Sequence, residues 1–449
     1  MPSEAIMMPN NSHTRLARAL ALRLGALALA VCGAAACSEF LVADNPGSVQ
    51  EPDVNVPAYA NLIANGPIFG YQTALSQNTY WNGQFTDELF NREVFVEEGQ
   101  IDRRDLYSEM TYINAFMYAP MQRARFLGED AARRLKVILA DSATRDLRIA
   151  RSLAYAGHGY IALGEMMCVT PIDVGAPKTS AEIFADAIVR FQEAITISNA
   201  TKAYLQTLPT STANTNAIAA ADSVRNFALV GAARAALNRN DKSAAITFAN
   251  QVPAAFDFRA YYHDNTTGQR TRIFDRLGGT AAASTLANSP FLAMAGDPRI
   301  PRTTTGVLNR PLSPPSYSSF SNTVAGATFA AITTVRIASG LEARYIVAEA
   351  QGPTPATLVF VNERRAAGLQ GAVALTGDAL MAELRDQRSR DFYLDNHRLG
   401  DLRRYKQFYN VDLFPKGAYP GSTTGGIYNE AVTCWPLPVN ELTGNPNIP

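Results

Sequence analysis

Leu153-Ala154-Tyr155-Ala156-Gly157-His158-Gly159-Tyr160 and, further along, Ala187-Ile188-Val189-Arg190-Phe191-Gln192-Glu193-Ala194 decide the fold class. Within each stretch small and apolar residues recur at three- and four-residue spacing, the period of one helix face. Small residues at Ala156, Gly157, Ala187 and Ala194 let two helices approach closely, and the Phe191 ring fills the gap between hairpins. Working outward, the same period predicts helices over 105–127, 145–167, 182–197, 221–237 and 242–250, the last two separated by Asn238-Arg239-Asn240-Asp241. The chain is expected to be mainly α.

The spacings are those of a tetratricopeptide unit. Leu153, Ala156, Gly157 and Tyr160 fit its first helix, and Ala187, Phe191 and Ala194 fit its second. The interval between Tyr160 and Ala187 is about 18 residues longer than a compact repeat needs. It holds Cys168, Pro171, Gly175 and Pro177 and reads as an inserted loop. A second, degenerate unit runs through Phe227, Val230 and Gly231 to Ala245 and Ile246, with Pro253 closing it. Arrays of this kind usually present a binding surface.

From 256 to 331 glycine, proline, serine and threonine cluster, with Gly278-Gly279-Thr280 and Pro314-Pro315-Ser316 as breakers. A long excursion inside a helical protein is more often functional than not. Helices are expected again over 339–350, 355–367 and 378–395, before an irregular tail. The organisation expected is a leader over 1–36, an extended lead over 37–57, a helical repeat region over 58–255, a loop-rich ligand-side insertion over 256–331, and C-terminal helices with a tail over 332–449.

The leader has a plain physical reading. Arg15, Arg18 and Arg23 precede an uncharged run over 24–36, and Cys37 follows Ala34-Ala35-Ala36. The run is shorter than the roughly 18 residues a spanning helix requires, so it reads as a secretory signal. A cysteine after small residues suggests a bacterial lipoprotein, cut before Cys37 and acylated there. Cys32 is a poorer candidate, because bulky Val31 would occupy the cleavage position. Two or more acyl chains anchor stably, without any spanning segment. Beyond Cys37 only Cys168 and Cys434 remain. In an exported chain they can close one disulfide or stay as two buried thiols.

The whole chain balances 40 basic against 40 acidic residues, which implies neither a nucleic-acid face nor a polybasic membrane patch. His158, His263 and His397 have no metal-ligand spacing, and no nucleophile-elbow, zinc-protease or phosphate-loop motif occurs. Asp87-Glu88 are adjacent carboxylates, but a glycosidase pair is defined by separation in space. The chain is read as a binding protein and not an enzyme, with no cofactor or metal.

The C-terminal third resembles the SusD/RagB family of outer-membrane nutrient-binding lipoproteins. Glu342-Ala343-Arg344-Tyr345-Ile346-Val347-Ala348-Glu349-Ala350 is similar to a family helix, as is Val361-Asn362-Glu363-Arg364-Arg365-Ala366-Ala367-Gly368-Leu369. The segment from Leu384 to Arg404 resembles its Arg- and carboxylate-rich signature, and Trp435-Pro436-Leu437-Pro438 with Asn445-Pro446-Asn447 its terminal motif. Physically, Arg388, Arg390, Arg398, Arg403 and Arg404 beside Asp391, Asp395 and Asp401 read as an ion-pair lattice holding helices to the tail.

The resemblance implies a lipid-anchored protein of the outer membrane, facing the cell surface. It would bind an oligosaccharide or peptide and deliver it to a TonB-dependent SusC-like β-barrel transporter, with no nucleic acid involved. The alternative is a tetratricopeptide scaffold for protein assembly at the membrane. A sugar receptor needs aromatic faces beside amide, carboxylate or guanidinium groups. Tyr80, Trp81, Asn82, Gln84 and Asp87 offer that chemistry in a short span, and Tyr261, Tyr262 and Tyr317 are the loop-borne aromatics; these are the candidate ligand residues.

Overall fold

The computed structural model describes residues 54–91, 95–263, 265–273, 276, 284–285, 289–294, 296–300, 334–420 and 426–448. Cys37, the leader and Tyr317 lie outside the described residues. Seven helices form the first half: α1 (Ala60–Phe85), α2 (Val96–Arg103), α3 (Ala119–Ile138), α4 (Leu147–Met166), α5 (Ser180–Gln206), α6 (Thr212–Asn238) and α7 (Lys242–Ala249). Five follow: α8 (Gly340–Gln351), α9 (Pro355–Ala367), α10 (Gly377–Asp391), α11 (Arg398–Tyr409) and α12 (Val439–Gly444). From α3 to α8 each helix packs on the next, and α1 packs on both α3 and α4. This is a mainly helical, tetratricopeptide-like hairpin array.

Local sequence sets the starts. Asp146 caps α4 by accepting from the Arg148 N–H at 3.0 Å, and Thr179 with Glu182 forms a capping box at α5. Ser211, Asp241, Ser339 and Thr354 cap α6, α7, α8 and α9 in the same way. Before α3 the expected helical start is absent: residues 113–118 form a π-helical turn and α3 proper runs from Ala119 to Ile138. Helices α5 and α6 are each longer than their apolar cores predict, because polar end turns continue them past the packed face.

The hairpin interface rests on Phe191. A methyl group added at Gly157 would lie 2.6 Å from its ring, and one at Gly231 only 2.2 Å. The ring therefore sits against bare backbone of both α4 and α6. His158 stacks on Phe227 at 4.1 Å, and Phe227 on Phe258 at 4.2 Å, carrying the core toward the loop-rich segment.

The strands are short and pair in twos. β1 (Phe90–Asn91) runs antiparallel to β5 (Ser284–Thr285), and β2 (Thr170–Pro171) with β3 (Pro177–Lys178) makes a small hairpin in the inserted loop. The loop-rich segment leaves and returns side by side: β4 (Asp257–Ala260) pairs antiparallel with β6 (Val335–Ser339), and β6 leads straight into α8. Cys168 and Cys434 are joined by a disulfide with Cα atoms 5.0 Å apart. Beside it the Trp435 N–H donates to the Met166 carbonyl at 2.8 Å, so the tail is tied to the end of α4.

The arginines of α10 and α11 chiefly join helix to helix. Arg388 pairs with Asp401 at 2.6 Å, and Arg404 pairs with Glu349 of α8 and with Asp401, both at 2.7 Å. Arg398 reaches Asp87 at 2.5 Å, just beyond α1. Arg403 donates to the carbonyls of Gly164, Glu165 and Met167 at the end of α4. Besides the disulfide and the Trp435 bond, the tail is held by Arg104, which donates to the Pro415 carbonyl at 2.6 Å. This differs from the expected helix-to-tail lattice because Glu349 of α8 and Asp87, just beyond α1, are the carboxylates that Arg404 and Arg398 meet.

This packing has two measurable consequences. Gly231→Ala forces Phe191 out of its seat and is expected to destabilise by about 1–3 kcal/mol, and Phe191→Ala by about 3–5 kcal/mol, measured by denaturant unfolding. The second concerns pH. Burial pushes Glu88 up to about 8 and Asp102 up to about 7, despite hydrogen bonds from Leu394, Asn91 and the Tyr419 hydroxyl. The folded chain thus keeps protons that the unfolded chain has already released. Stability contributed by these sites falls as pH rises from the ordinary carboxylate range to about 8. Glu88→Gln with Asp102→Asn is expected to flatten that slope by about 1 kcal/mol or more. An unchanged pH profile refutes it.

Candidate functional site

The groove that best combines exposed aromatics with polar groups lies between the outer face of α1 and the loop that follows β4. On α1, Phe69, Gln72, Thr73, Ser76 and Gln77 recur at helical spacing and share one face. Across from them the strand alternation of β4 continues past its last residue. Ala260 is buried, Tyr261 exposed, Tyr262 buried and His263 exposed. Tyr262 therefore turns inward as an anchor, while Tyr261 and His263 stay at the rim.

The loop is fixed to the helix at both ends. The Tyr262 hydroxyl donates to the Gln72 carbonyl at 3.0 Å, and the Arg272 N–H donates to Ser76 Oγ at 2.6 Å. These two points are one helical turn apart on α1. Between them the loop closes on itself: the His263 N–H donates to the Gln269 carbonyl, and the Gln269 N–H to the Thr266 carbonyl, each at 3.0 Å. Burial raises the Tyr262 phenol well above its ordinary value, so it remains a neutral donor.

The resulting groove encloses about 240 Å³. Phe69 is 62% exposed and Tyr261 61%, an unusual pair of accessible rings flanking one opening. Gln77 Oε1 and Gln269 Oε1 are buried acceptors in this lining without a hydrogen-bond partner among the described residues. Such acceptors are exceptions in folded proteins, and a ligand or water hydroxyl would satisfy them. Ring faces plus waiting amide oxygens match the C–H face and the hydroxyls of a sugar.

A larger cleft of about 590 Å³ lies where the end of α1 meets α10, α11 and the tail. Its charged walls answer one another: Asp87 pairs with Arg398, Asp386 with Arg390, and Asp102 accepts from Tyr419. It offers fewer unmet polar groups than the groove. Among the described residues no group of three or more His, Cys, Asp or Glu is placed to hold a metal ion.

The structure separates the sequence-derived candidates. Tyr261 and Tyr262 meet at the groove, as rim ring and anchor. Tyr80, Trp81, Asn82 and Gln84 are buried and are corrected to core residues. Trp81 is wholly enclosed, its ring 4.7 Å from Tyr80, 4.9 Å from Tyr112 and 5.8 Å from Phe116. Asn82 donates to Asn396 and accepts from the Trp435 indole, and the Gln84 amide donates to Ser284. Asp87 is half-buried in the wall of the other cleft, tied to Arg398. Sequence reasoning missed Phe69, Gln72, Gln77 and Gln269. The signal for the first three was available, since they extend one polar and aromatic stripe along a helix whose opposite face is apolar.

No family model matches the chain, and no curated protein matches it. Solved structures do. A SusD superfamily protein from Bacteroides fragilis superposes with a TM-score of 0.59 at 12% identity, covering 88% of this chain and 99% of that one. A laminarin-binding SusD-like protein gives 0.59 at 11% identity, with 86% and 97% covered. Surface glycan-binding protein A from Bacteroides uniformis gives 0.56 at 12% identity, with 87% and 98% covered. At these identities the likeness is one of fold. The chain has the SusD-like fold over nearly its whole length.

Proposed function

We propose that this protein is a surface lipoprotein that captures a nutrient glycan in the groove between α1 and the Tyr261–Arg272 loop. The observation that carries the reading is the pair of exposed rings, Phe69 and Tyr261, flanking amide oxygens that have no partner among the described residues, on a SusD-like frame. Glycan binding by two of the structural neighbours supports it. Capture uses stacking and hydrogen bonds, without bond breaking. Tyr261→Ala and Phe69→Ala are each expected to weaken glycan binding about tenfold or more in calorimetric titrations while leaving the thermal midpoint unchanged. Trp81→Ala is expected to do the reverse, lowering the midpoint by opening a core cavity. Undiminished affinity in both groove variants sinks the reading.

Delivery belongs to the same proposal. The captured glycan passes to a TonB-dependent SusC-like β-barrel transporter in the outer membrane, and Cys37 carries the lipid that holds the receptor beside it. Among the described residues no helix is long and apolar enough to cross a membrane. A pulldown of the lipidated protein from native outer membranes is expected to recover a large β-barrel at near-equal amount. Cys37→Ala is expected to release the protein from the membrane fraction. Retention of that variant refutes anchoring at Cys37, and recovery of assembly factors in place of a barrel refutes the delivery step.

A further inference from the structure

The larger cleft has chemistry of its own that the glycan reading leaves unused. It encloses about 590 Å³, the size of an ordinary small-molecule site. Leu89, Pro290, Met294, Val411, Leu413 and Pro415 give it a largely apolar lining. The acidic residues of the lining are already engaged: Asp87 by Arg398, Asp386 by Arg390, and Asp102 by the Tyr419 hydroxyl. The serines are occupied too, Ser289 Oγ donating to the Asp87 carbonyl and Ser389 Oγ to the Asp386 carbonyl.

Arg385 is the exception. It stands on the cleft face of α10, one turn after Ala382 and one before Ser389. Its guanidinium carbon lies 5.3 Å from the centre of the Tyr405 ring and 5.4 Å from that of Tyr409, on successive turns of α11. Contact with two rings restricts where the cation can sit. No described carboxylate pairs with it, and its Nε is buried without a hydrogen-bond partner. Lys416, on the same lining, shares the carboxylate of Asp412 with Lys406, at 3.1 and 3.0 Å, so one anion there serves two cations. A guanidinium matches a carboxylate in geometry as well as in charge, and a pair of that kind is stronger than a neutral hydrogen bond. The rest of the lining favours apolar surface. We infer that this cleft is a second binding site, for a small organic carboxylate with an apolar body. The carboxylate meets Arg385, and the body lies along Met294, Val411 and Leu413. The site does not rest on the groove being the glycan site.

The test is a ligand-detected NMR titration of the purified full chain with phenylbutyrate, with neutral phenylbutyramide of the same shape, and with acetate. Phenylbutyrate is expected to bind about tenfold or more tightly than the amide, because the charge pair adds to apolar burial. Acetate, with no body to bury, is expected not to bind up to about 10 mM. Arg385→Gln is expected to bring the acid down to the affinity of the amide with the thermal midpoint unchanged. Leu413→Glu, at a position 41% exposed, is expected to weaken the acid more than the amide, and it decides if the Arg385 variant folds poorly. Acid and amide binding equally, a preference that survives Arg385→Gln in a folded protein, or no binding of either up to about 10 mM overturns the inference.

Discussion

The fold depends on a buried network of charges that neither half of the chain can satisfy alone. Arg234 of α6, 6% exposed, pairs through two nitrogens with Glu342 of α8, which is wholly buried. His397, just before α11, touches both. Burial disfavours the Glu342 carboxylate, yet Arg234 and His397 outweigh it and hold its carboxyl well below the ordinary range. Asp401 behaves likewise: burial opposes its charge, but Arg388 and Arg404 bring it down to about 2. An unpaired ion in that interior would cost several kcal/mol, so each helix needs the other's charge. The network adds little net stability over an apolar core of equal volume, and what it does is fix which helices meet.

With α6, α8 and α11 locked, the position of the groove is determined by short connections. β6 runs directly into α8, and β4 pairs with β6, so the start of the excursion is held next to the network. Tyr262 lies only two residues past β4, and its hydroxyl bonds α1. The loop is thus pinned at its root beside the charge network and, through Tyr262, to α1. Such an arrangement reduces the ordering cost that binding would otherwise incur.

Much of the frame was legible in the sequence. The seat of Phe191 between hairpins, with small residues such as Gly157 letting the helices approach, could be read; that Gly231 of the second unit meets the same ring came from the structure. The helix over 355–367 was legible to the residue, since Pro355 opens it and Gly368 closes it. The reach of the arginine lattice was not, because it depends on which carboxylates other helices bring near. Trp81 illustrates the same obstacle. Aromatic and amide residues side by side describe a sugar platform and an interior helix equally well. From Ala74 onward α1 is buried almost all round, so Asn78, Asn82 and Gln84 find partners inside the protein. Only tertiary enclosure distinguishes the two cases, and local composition carries no trace of it.

The groove residues of α1, Phe69 to Gln77, overlap the start of that enclosed stretch, and they differ from the residues after them in what their polar groups meet. Toward its C-terminal end the helix spends its polar groups on the core: Tyr80 and Gln84 share Ser284, and Asn82 bridges Trp435 and Asn396. One to two turns earlier the same residue types meet the loop: Ser76 and the Gln72 carbonyl hold it, and Gln77 Oε1 has no hydrogen-bond partner among the described residues. A single helix therefore turns its polar groups to the core toward its C-terminal end and to the loop one to two turns earlier. In the proposed site, what separates the groove residues from the core residues that follow them on α1 is burial and not composition, since the two sets are of nearly identical residue types.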